Sequence, residues 1–175
     1  MQFFDAVAER FQLPEGCVIL ETGGFKGRSR EVERSELYSL FAERLGVPPT
    51  HCLAEYGMSE MASQFYDTTL LDHSRGVARE SRKASLPQLL RTRVLDPVTN
   101  EDAAPGQPGV LVHYDVANLN SVLAIQTEDW GYAMGDGDGS VDGFVLLGRA
   151  PGAALRGCSL TAEEFAARSF VAPSP

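Results

Sequence analysis

Hydrophobic periodicity changes near Leu89, and this change constrains the fold more than any other feature of the sequence. Upstream, short apolar runs alternate with glycine-rich loops and a segment of helical spacing, whereas downstream the apolar residues follow strand alternation. We therefore predict an α/β layer with a parallel sheet over residues 1–88 and a β-rich region over residues 89–175. At 175 residues, the two regions make one domain or a large piece of one.

The upstream region contains a predicted strand, a glycine loop and a helix. The strand is the β-branched apolar run Cys17–Leu20, and the loop after it contains Gly23 and Gly24. The helix is Glu31–Leu45, which has an apolar side and is followed by Gly46 as its C-cap. Adjacent glycines let the backbone approach a ligand closely, although a plain flexible loop accounts for them equally well.

The segment Tyr56–Glu60 brings an aromatic ring, a glycine, a hydroxyl and a carboxylate together after the apolar run Cys52–Ala54. We predict a buried strand, a tight turn at Gly57 and a helix that begins near Ser59. Such a helix start presents backbone N–H groups, so that Ser59 can bond a phosphate oxygen and Glu60 can hold Mg²⁺. The alternative is a turn in which the serine only caps the helix. Both this segment and the glycine loop follow strands of the predicted parallel sheet, so they are expected to line one crevice.

The downstream region contains four predicted strands, at residues 88–95, 110–116, 121–126 and 143–147. A Gly/Asp run at 135–140 is interpreted as a hairpin loop, because it lacks the glycine and glutamate that a calcium loop requires. Asp129 follows a predicted strand end, where a carboxylate can accept both hydroxyls of a ribose. Arg149 ends another strand and can pair with a phosphate or a carboxylate. An exposed loop acid and a surface arginine are the alternatives.

Cys158 lies two residues after Arg156 and just before a helix that the capping box of Thr161 and Glu164 predicts. The arginine and the helix N-terminus both favour the thiolate, which is the environment of a reactive cysteine. A buried inert cysteine is the alternative. The three cysteines of the chain are far apart, so they predict neither a disulfide framework nor a zinc site and suit a reducing cytoplasm.

Charge and composition exclude several function classes. A net charge of −9 argues against a nucleic-acid surface. The chain has only two lysines, Lys26 and Lys83, so it offers no polybasic patch for a membrane. No apolar run approaches the length of a membrane span. We therefore predict a cytoplasmic protein without a nucleic-acid partner.

Four motifs follow one another in a fixed order: Gly23-Gly24, Tyr56-Gly57-Met58-Ser59-Glu60, Thr127-Glu128-Asp129 and Gly148-Arg149. This order resembles the adenylate-forming (acyl-AMP-producing) superfamily. The segment 96–99 followed by 105–112 is similar to the strand that leads into the superfamily's barrel. The resemblance covers roughly residues 18–165. It implies part of the large domain of such an enzyme, an α/β sheet layer followed by a distorted barrel, with ATP and Mg²⁺ as cofactors.

The C-terminal part of this region is similar to one particular family within the superfamily. Leu147-Gly148-Arg149 followed by Arg156-Gly157-Cys158-Ser159-Leu160 is similar to the acyl-protein synthetase (LuxE-type) family. Members of that family activate a long-chain fatty acid with ATP and carry the acyl group on a cysteine near the C-terminus. The resemblance therefore implies an ATP-dependent ligase, and it implies that Cys158 takes the acyl group as a thioester.

The resemblance also implies a nucleotide-binding role for several residues. Gly23 and Gly24 would line the adenine pocket, and Tyr56 would contact the adenine. Asp129 would bind the ribose hydroxyls with support from Arg149.

The remaining implied roles concern the phosphate and acyl ends of the substrate. Gly57 and Met58, together with Tyr56, would contact the adenine and the acyl end. Ser59 would bond the α-phosphate, and Glu60 would hold Mg²⁺.

The sequence departs from the family pattern in four places. Nothing before Gly23 resembles the superfamily's Ser/Thr/Gly-rich phosphate loop, and no lysine follows Lys83 where the superfamily has one in its mobile C-terminal domain. Glu128 stands in place of a usual glycine, and Pro151 stands where many relatives have a hinge acid. The chain is thus similar to the C-terminal half of an acyl-protein synthetase.

Such a half has specific expected partners. They are a long-chain fatty acid, a separate N-terminal half that would pack on an apolar flank of the sheet, and a fatty acyl reductase component. Two alternatives stay open, namely a phenylacetate-type acyl-CoA ligase half and a non-catalytic remnant that binds a nucleotide or a partner.

Overall fold

A single mixed sheet organises the residues that the structure describes, which are 10–22, 32–85, 88–135 and 141–150 in a computed structural model. Its strands are β1 (Ile19–Glu21), β2 (Cys52–Tyr56), β3 (Phe65–Asp67), β4 (Lys83–Ala84), β5 (Leu90–Leu95), β6 (Gly109–Asp115), β7 (Ala124–Gly135) and β8 (Val141–Arg149). The helices are α1 (Arg34–Leu45) and α2 (Thr69–Ser74), with a 3₁₀ turn at Pro49–His51 between them. The strand order is β1-β2-β3-β4-β8-β7-β6-β5. No helix in these four ranges is long and apolar enough to cross a membrane.

The upstream part of the sheet is the predicted α/β layer. β1 and β2 run parallel with Leu20 opposite Leu53, and the chain passes from one to the other through α1. α1 begins at Arg34 rather than at the predicted Glu31. It ends at Gly46, whose left-handed φ of 72° closes the helix as its position in the sequence predicts. The predicted α/β layer is confirmed, but its parallel pairing is limited to β1 and β2, because β3 and β4 join the sheet antiparallel.

β1 differs from its prediction in position and in burial. A buried strand was expected over Cys17–Leu20, but the strand covers Ile19–Glu21, and the side chain of Leu20 is 51% exposed. Among the described strands β1 has β2 as its single neighbour. It therefore lies at an edge of the described sheet, where its apolar side chains are not covered as those of a central strand are.

The downstream part is antiparallel throughout. β5 pairs with β6, β6 with β7 and β7 with β8, and β8 joins the upstream strands through β4. The strands predicted at 88–95, 110–116 and 143–147 correspond to β5, β6 and β8. The switch to strand alternation near Leu89 is confirmed. β3, α2 and β4, which lie between residues 65 and 84, were not predicted.

β7 is much longer than the predicted strand at 121–126, so Asp129 lies inside a strand and not past the end of one. The Thr-Glu-Asp-Trp-Gly sequence has the composition of a turn, but the register shift between Trp130 and Gly131 lets the strand continue. A Cβ at Gly131 would lie 2.3 Å from the backbone oxygen of Val145, so the close approach of β8 requires glycine there.

The helix predicted to begin near Ser59 is absent from the described residues. Ser59 and Glu60 form a turn, and the chain returns as β3, which pairs antiparallel with β2 through Tyr56 opposite Phe65. A helix would need the amides that follow the turn, but an acidic side chain of β6 takes them instead. Ser59 consequently caps no helix.

The sheet curls around a shared interior. The buried side chains of the core come from β3, β5, β6, β7 and β8, and they are Phe65, Leu90, Val94, Leu111, Ala133 and Phe144. Tyr56 of β2 packs against this cluster, although the sheet order separates β2 from β7 by three strands. This curl corresponds to the expected distorted barrel, and it carries the end of β2 across to β6 and β7.

Candidate functional site

The curl of the sheet places the Tyr56 hydroxyl against Asp129. The hydroxyl donates to Oδ2 of Asp129 at 2.8 Å, which joins the end of β2 to β7. Burial, followed by the negative charge of Asp129, raises the pKa of Tyr56. The phenol therefore stays neutral and remains a hydrogen-bond donor to the carboxylate.

His113 completes this contact from inside the core. Its side chain is 0% exposed, and its Nε2 lies 3.1 Å from the Tyr56 hydroxyl oxygen while its Nδ1 lies 2.9 Å from Thr92 Oγ1. Burial lowers the pKa of His113 to about 4. The imidazole packs among aromatic rings with centroid separations of 5.5 Å to Tyr56, 5.0 Å to Phe65 and 5.6 Å to Phe144. The neutral ring is therefore held on both of its nitrogens.

Thr127 fixes the backbone at Asp129. Its hydroxyl donates to the backbone oxygen of Leu111 at 2.9 Å and accepts the N–H of Asp129 at 3.0 Å. The Asp129 side chain is only 13% exposed. The threonine of this motif thus anchors β7 to β6 and sets the position from which the carboxylate projects.

Arg149 lies directly across from Asp129 in the register of β7 and β8. Its Nη2 lies 2.6 Å from Glu128 Oε2, and its Nη1 lies 3.5 Å from Asp129 Oδ1. Glu128 stands where the resemblance described above implies a glycine. Here it holds the guanidinium beside Asp129, which gives the departure a structural role.

The turn after Tyr56 carries the other predicted residues. Gly57, Ser59 and Glu60 are exposed, and Met58 is half-buried. The Ser59 hydroxyl donates to Glu60 Oε2 at 3.1 Å. Nδ2 of Asn118 donates to the backbone oxygen of Glu60 at 2.7 Å, so the loop after β6 supports the turn.

Asp115 clamps the chain beyond this turn. Its Oδ2 accepts the N–H groups of Ala62 and Ser63 at 2.9 and 2.8 Å, and its Oδ1 accepts the Ser63 hydroxyl at 2.9 Å and the Ala117 N–H at 3.1 Å. Burial acts to raise the pKa of this carboxyl, but the hydrogen bonds from Ser63, Ala117 and Ala62 outweigh it, and the pKa lies below its ordinary value. The carboxylate takes the amides that a helix would have used.

The structure unites some predicted site residues and leaves others apart. Tyr56, Asp129 and Arg149 form one connected group. Within the described ranges, no hydrogen bond joins the side chains of Ser59 or Glu60 to that group; they lie on the exposed turn that follows it. Gly23, Gly24, Cys158 and the helix predicted after Cys158 lie outside the described residues.

The turn after Tyr56 provides one carboxylate ligand for a divalent cation, which is the side chain of Glu60. The parts of the chain that the structure describes contain no group of three His, Cys, Asp or Glu side chains that could hold a metal. Mg²⁺, however, is commonly held by one or two carboxylates together with substrate phosphates and water. The exposed carboxylate of Glu60 fits that kind of site and not an all-protein cage.

Three supporting residues were not identified from sequence, namely His113, Asp115 and Asn118. A signal for two of them was present. Strand alternation in β6 places His113 and Asp115 on the inward face with Leu111, and polar side chains on an apolar face require partners. Nothing in the sequence marked Asn118, whose partners lie in the turn after β2 and in its own loop.

Comparison with known proteins supports the fold. Neither a protein-family model nor a curated protein matches this sequence. Among solved structures, a long-chain-fatty-acid-CoA ligase from Archaeoglobus fulgidus matches 86% of this chain with 12% identity and a TM-score of 0.52. The ATP-bound chimera RpMatB-BxBclM B3 matches 75% of it with 16% identity and a TM-score of 0.50.

The described fold is therefore a mixed α/β arrangement with an eight-stranded sheet, and it is similar to part of the Archaeoglobus ligase. The chain spans 25% of the chimera's length and 32% of the Archaeoglobus ligase's length.

Proposed function

We propose that this chain is part of an ATP-dependent acyl-protein synthetase of the adenylate-forming kind. The observation that carries the proposal is the contact between Tyr56 and Asp129, with Arg149 across from Asp129. These residues come from three motifs that are far apart in sequence, and the order of those motifs suggested one nucleotide site. The fold itself is compatible with that chemistry.

The proposed nucleotide site is built around Asp129. Its largely buried carboxylate accepts the two ribose hydroxyls, Arg149 holds it in place, and Tyr56 lies beside the adenine. Gly23 and Gly24 line the adenine pocket in this proposal. A carboxylate that is already oriented by a tyrosine and an arginine loses little freedom when it binds the sugar.

The exposed turn serves the phosphate and acyl ends. Ser59 bonds the α-phosphate, Glu60 holds Mg²⁺, and Gly57 and Met58 lie along the adenine and the acyl group. Mg²⁺, when bound, offsets the negative charge that develops at the phosphate. The fatty-acid carboxylate oxygen attacks the α-phosphorus, and pyrophosphate leaves.

Cys158 is the proposed acyl acceptor. Its thiolate attacks the acyl carbon of the mixed anhydride, a thioester forms and AMP leaves. The partners in this scheme are a long-chain fatty acid, a separate N-terminal half that carries the phosphate loop, and a fatty acyl reductase that takes the acyl group onward. The exposed Leu20 in the edge strand β1 and the exposed Val18 just before it support a partner half that packs there. The proposed location is the cytoplasm.

Nucleotide binding is tested on the chain itself. NMR-monitored titration with ATP and Mg²⁺ is expected to give chemical-shift changes that saturate. The affinity obtained from them should fall in Asp129→Asn and in Glu60→Gln. Asp102→Asn is the matched control, because Asp102 is an exposed acid paired with Arg93. Equal affinity in all four proteins would contradict the proposed site.

The acceptor is tested with labelled fatty acid, ATP and the polypeptide that carries the phosphate loop. A hydroxylamine-sensitive label on Cys158 is expected, and Cys158→Ser should remove that label while acyl-AMP still forms. Label on CoA that is indifferent to Cys158→Ser would establish the phenylacetate-type CoA ligase instead. Absence of acyl-AMP would identify a non-catalytic remnant.

A further inference from the structure

A line of hydrogen bonds runs from the core to the proposed nucleotide site. It joins Thr92 of β5, His113 of β6, Tyr56 of β2 and Asp129 of β7, with separations of 2.9, 3.1 and 2.8 Å. Of these four residues, Asp129 and Tyr56 are proposed to lie against the nucleotide. Thr92 and His113 lie behind them, in the core.

The placement of hydrogens along this line follows from the chemistry of its members. A carboxylate only accepts, so the 2.8 Å contact uses the single hydroxyl hydrogen of Tyr56. The 3.1 Å contact must then be donated by the Nε2–H of His113. A neutral imidazole carries one N–H, so Nδ1 accepts from the hydroxyl of Thr92.

The other tautomer would disrupt the site. With its hydrogen on Nδ1, the ring would donate to Thr92 and present a bare Nε2 to the hydroxyl of Tyr56. That nitrogen would compete with Asp129 for one hydrogen, and the phenol and carboxylate oxygens would be left facing each other. An unsatisfied contact between these oxygens is costly in a buried position.

We propose that His113 is a positioning residue that, as its Nε2–H tautomer, directs the Tyr56 hydroxyl hydrogen onto Asp129 and so orients this carboxylate toward the ribose hydroxyls. The inference rests on the proposed function, because it concerns the same nucleotide site. Thr92 favours this tautomer because its hydroxyl donates to Nδ1, and Tyr56 links the imidazole to Asp129 because its hydroxyl accepts from Nε2 and donates to the carboxylate. His113 itself never reaches the nucleotide, since it is buried in the core.

Two amide substitutions separate positioning from packing. The amide nitrogen of a glutamine occupies roughly the place of Nε2, so His113→Gln keeps a donor for Tyr56. The amide of an asparagine lies nearer to Nδ1, so His113→Asn keeps a partner for Thr92 and loses the donor to Tyr56. If His113 had only a structural role, the variants His113→Asn and His113→Gln would differ in their free energy of unfolding. Their preference for one nucleotide over another would stay the same as in the wild type.

The test measures affinities for AMP and for 2′,3′-dideoxy-AMP with the full chain. The wild-type chain is expected to prefer AMP by about tenfold, since hydrogen bonds to a charged group are strong. His113→Asn should lower that preference by about threefold or more, and His113→Gln should retain it within about twofold. If both variants and the wild type prefer AMP over 2′,3′-dideoxy-AMP by the same factor, the positioning role is overturned, but the proposed nucleotide site is not. A wild-type chain that binds neither nucleotide would overturn the proposed function as well.

A measurement on the unmodified chain needs no variant to fold. Side-chain ¹⁵N NMR distinguishes a protonated from an unprotonated imidazole nitrogen, and His113 is expected to carry its hydrogen on Nε2 at neutral pH. A hydrogen on Nδ1 would overturn the inference directly.

Discussion

The Lys83 ammonium lies 2.8 Å from Asp67 Oδ1, and both side chains are almost completely buried. Lys83 also donates to the backbone oxygen of Ala54 at 2.7 Å, and Asp67 Oδ2 accepts the N–H of Ala54 at 2.8 Å. The pair thus satisfies the backbone of β2 just where its pairing with β3 ends. Burial lowers the pKa of Lys83, and the contacts with Asp67 oppose that effect.

Removing one charge of this pair is expected to be costly. Lys83→Met leaves the Asp67 carboxylate buried with a weakened set of partners, so the free energy of unfolding should fall by about 3–5 kcal/mol. The double variant Lys83→Met with Asp67→Asn should lose less free energy of unfolding than the sum of the losses of the two single variants. Urea denaturation measures all of these values. Arg10→Met, which breaks an exposed pair with Glu43, is the control and should cost below about 1 kcal/mol. A loss as small as the control's would contradict the stabilising role.

The buried imidazole of His113 is expected to make stability depend on pH. Its pKa is about 4 in the folded chain and 6.5 in its ordinary state, so the unfolded chain binds the proton first as the pH falls. The stability linked to the neutral ring is fully present above pH 6.5 and is lost between pH 6.5 and 4. The loss amounts to about 3 kcal/mol.

This effect is isolated by comparison with His113→Gln, which cannot titrate in that range. Chemical denaturation gives the free energy of unfolding of both proteins at pH 7 and at pH 4. Between these two values, the wild type should lose about 3 kcal/mol more than His113→Gln loses. A difference that stays constant across this range would show that His113 is protonated as easily in the folded chain as in the unfolded one.

Asp115 is expected to hold the turn after Tyr56 in place. Asp115→Asn replaces one acceptor oxygen with an amide that faces N–H donors, so the free energy of unfolding should fall by about 3 kcal/mol. Hydrogen exchange of the Ala62 and Ser63 amides should accelerate, because both donate to this carboxylate. Asp102→Asn, at an exposed pair, should leave those two amides unchanged. Unaltered protection in Asp115→Asn would mean that the turn is held by other contacts.

The cysteines are expected to differ in reactivity. Burial, and next the charge of Glu21, raises the pKa of the Cys52 thiol, which is also completely enclosed. A thiol-specific alkylating reagent at neutral pH should therefore modify Cys158 well before Cys52, as mass spectrometry of digested protein would show. Cys158→Ser should remove the fast reaction. Modification of Cys52 at the same rate would refute the predicted thiolate environment.

Local signals predicted the elements whose partners are close in sequence. Gly46 ends α1 because a glycine adopts the left-handed conformation easily, and that property needs no distant partner. The alternation after Leu89 predicted β5, β6 and β8 because each of them has one face on the core. The proximity of Tyr56, Asp129 and Arg149 agreed with the order of their motifs, although that order says nothing of how their side chains bond.

Two of the errors share one physical cause, which is competition from distant residues. The predicted helix at Ser59 fails because Asp115, from another strand, binds the amides of Ala62 and Ser63. The end predicted for the strand before Asp129 fails because Gly131 lets β8 approach closely enough to extend the pairing. Single-sequence patterns describe what a segment prefers and not what reaches it from elsewhere.

The contact between Tyr56 and Asp129 spans 73 residues of sequence, and it exists because the sheet curls until non-neighbouring strands meet. Contacts of such long sequence separation form slowly during folding, since a large loop must be closed before they contribute. The carboxylate therefore gains its final orientation only after β2, β6 and β7 have assembled. A nascent chain released before β7 is synthesised would contain the tyrosine motif intact and still lack Asp129 and the site proposed around it.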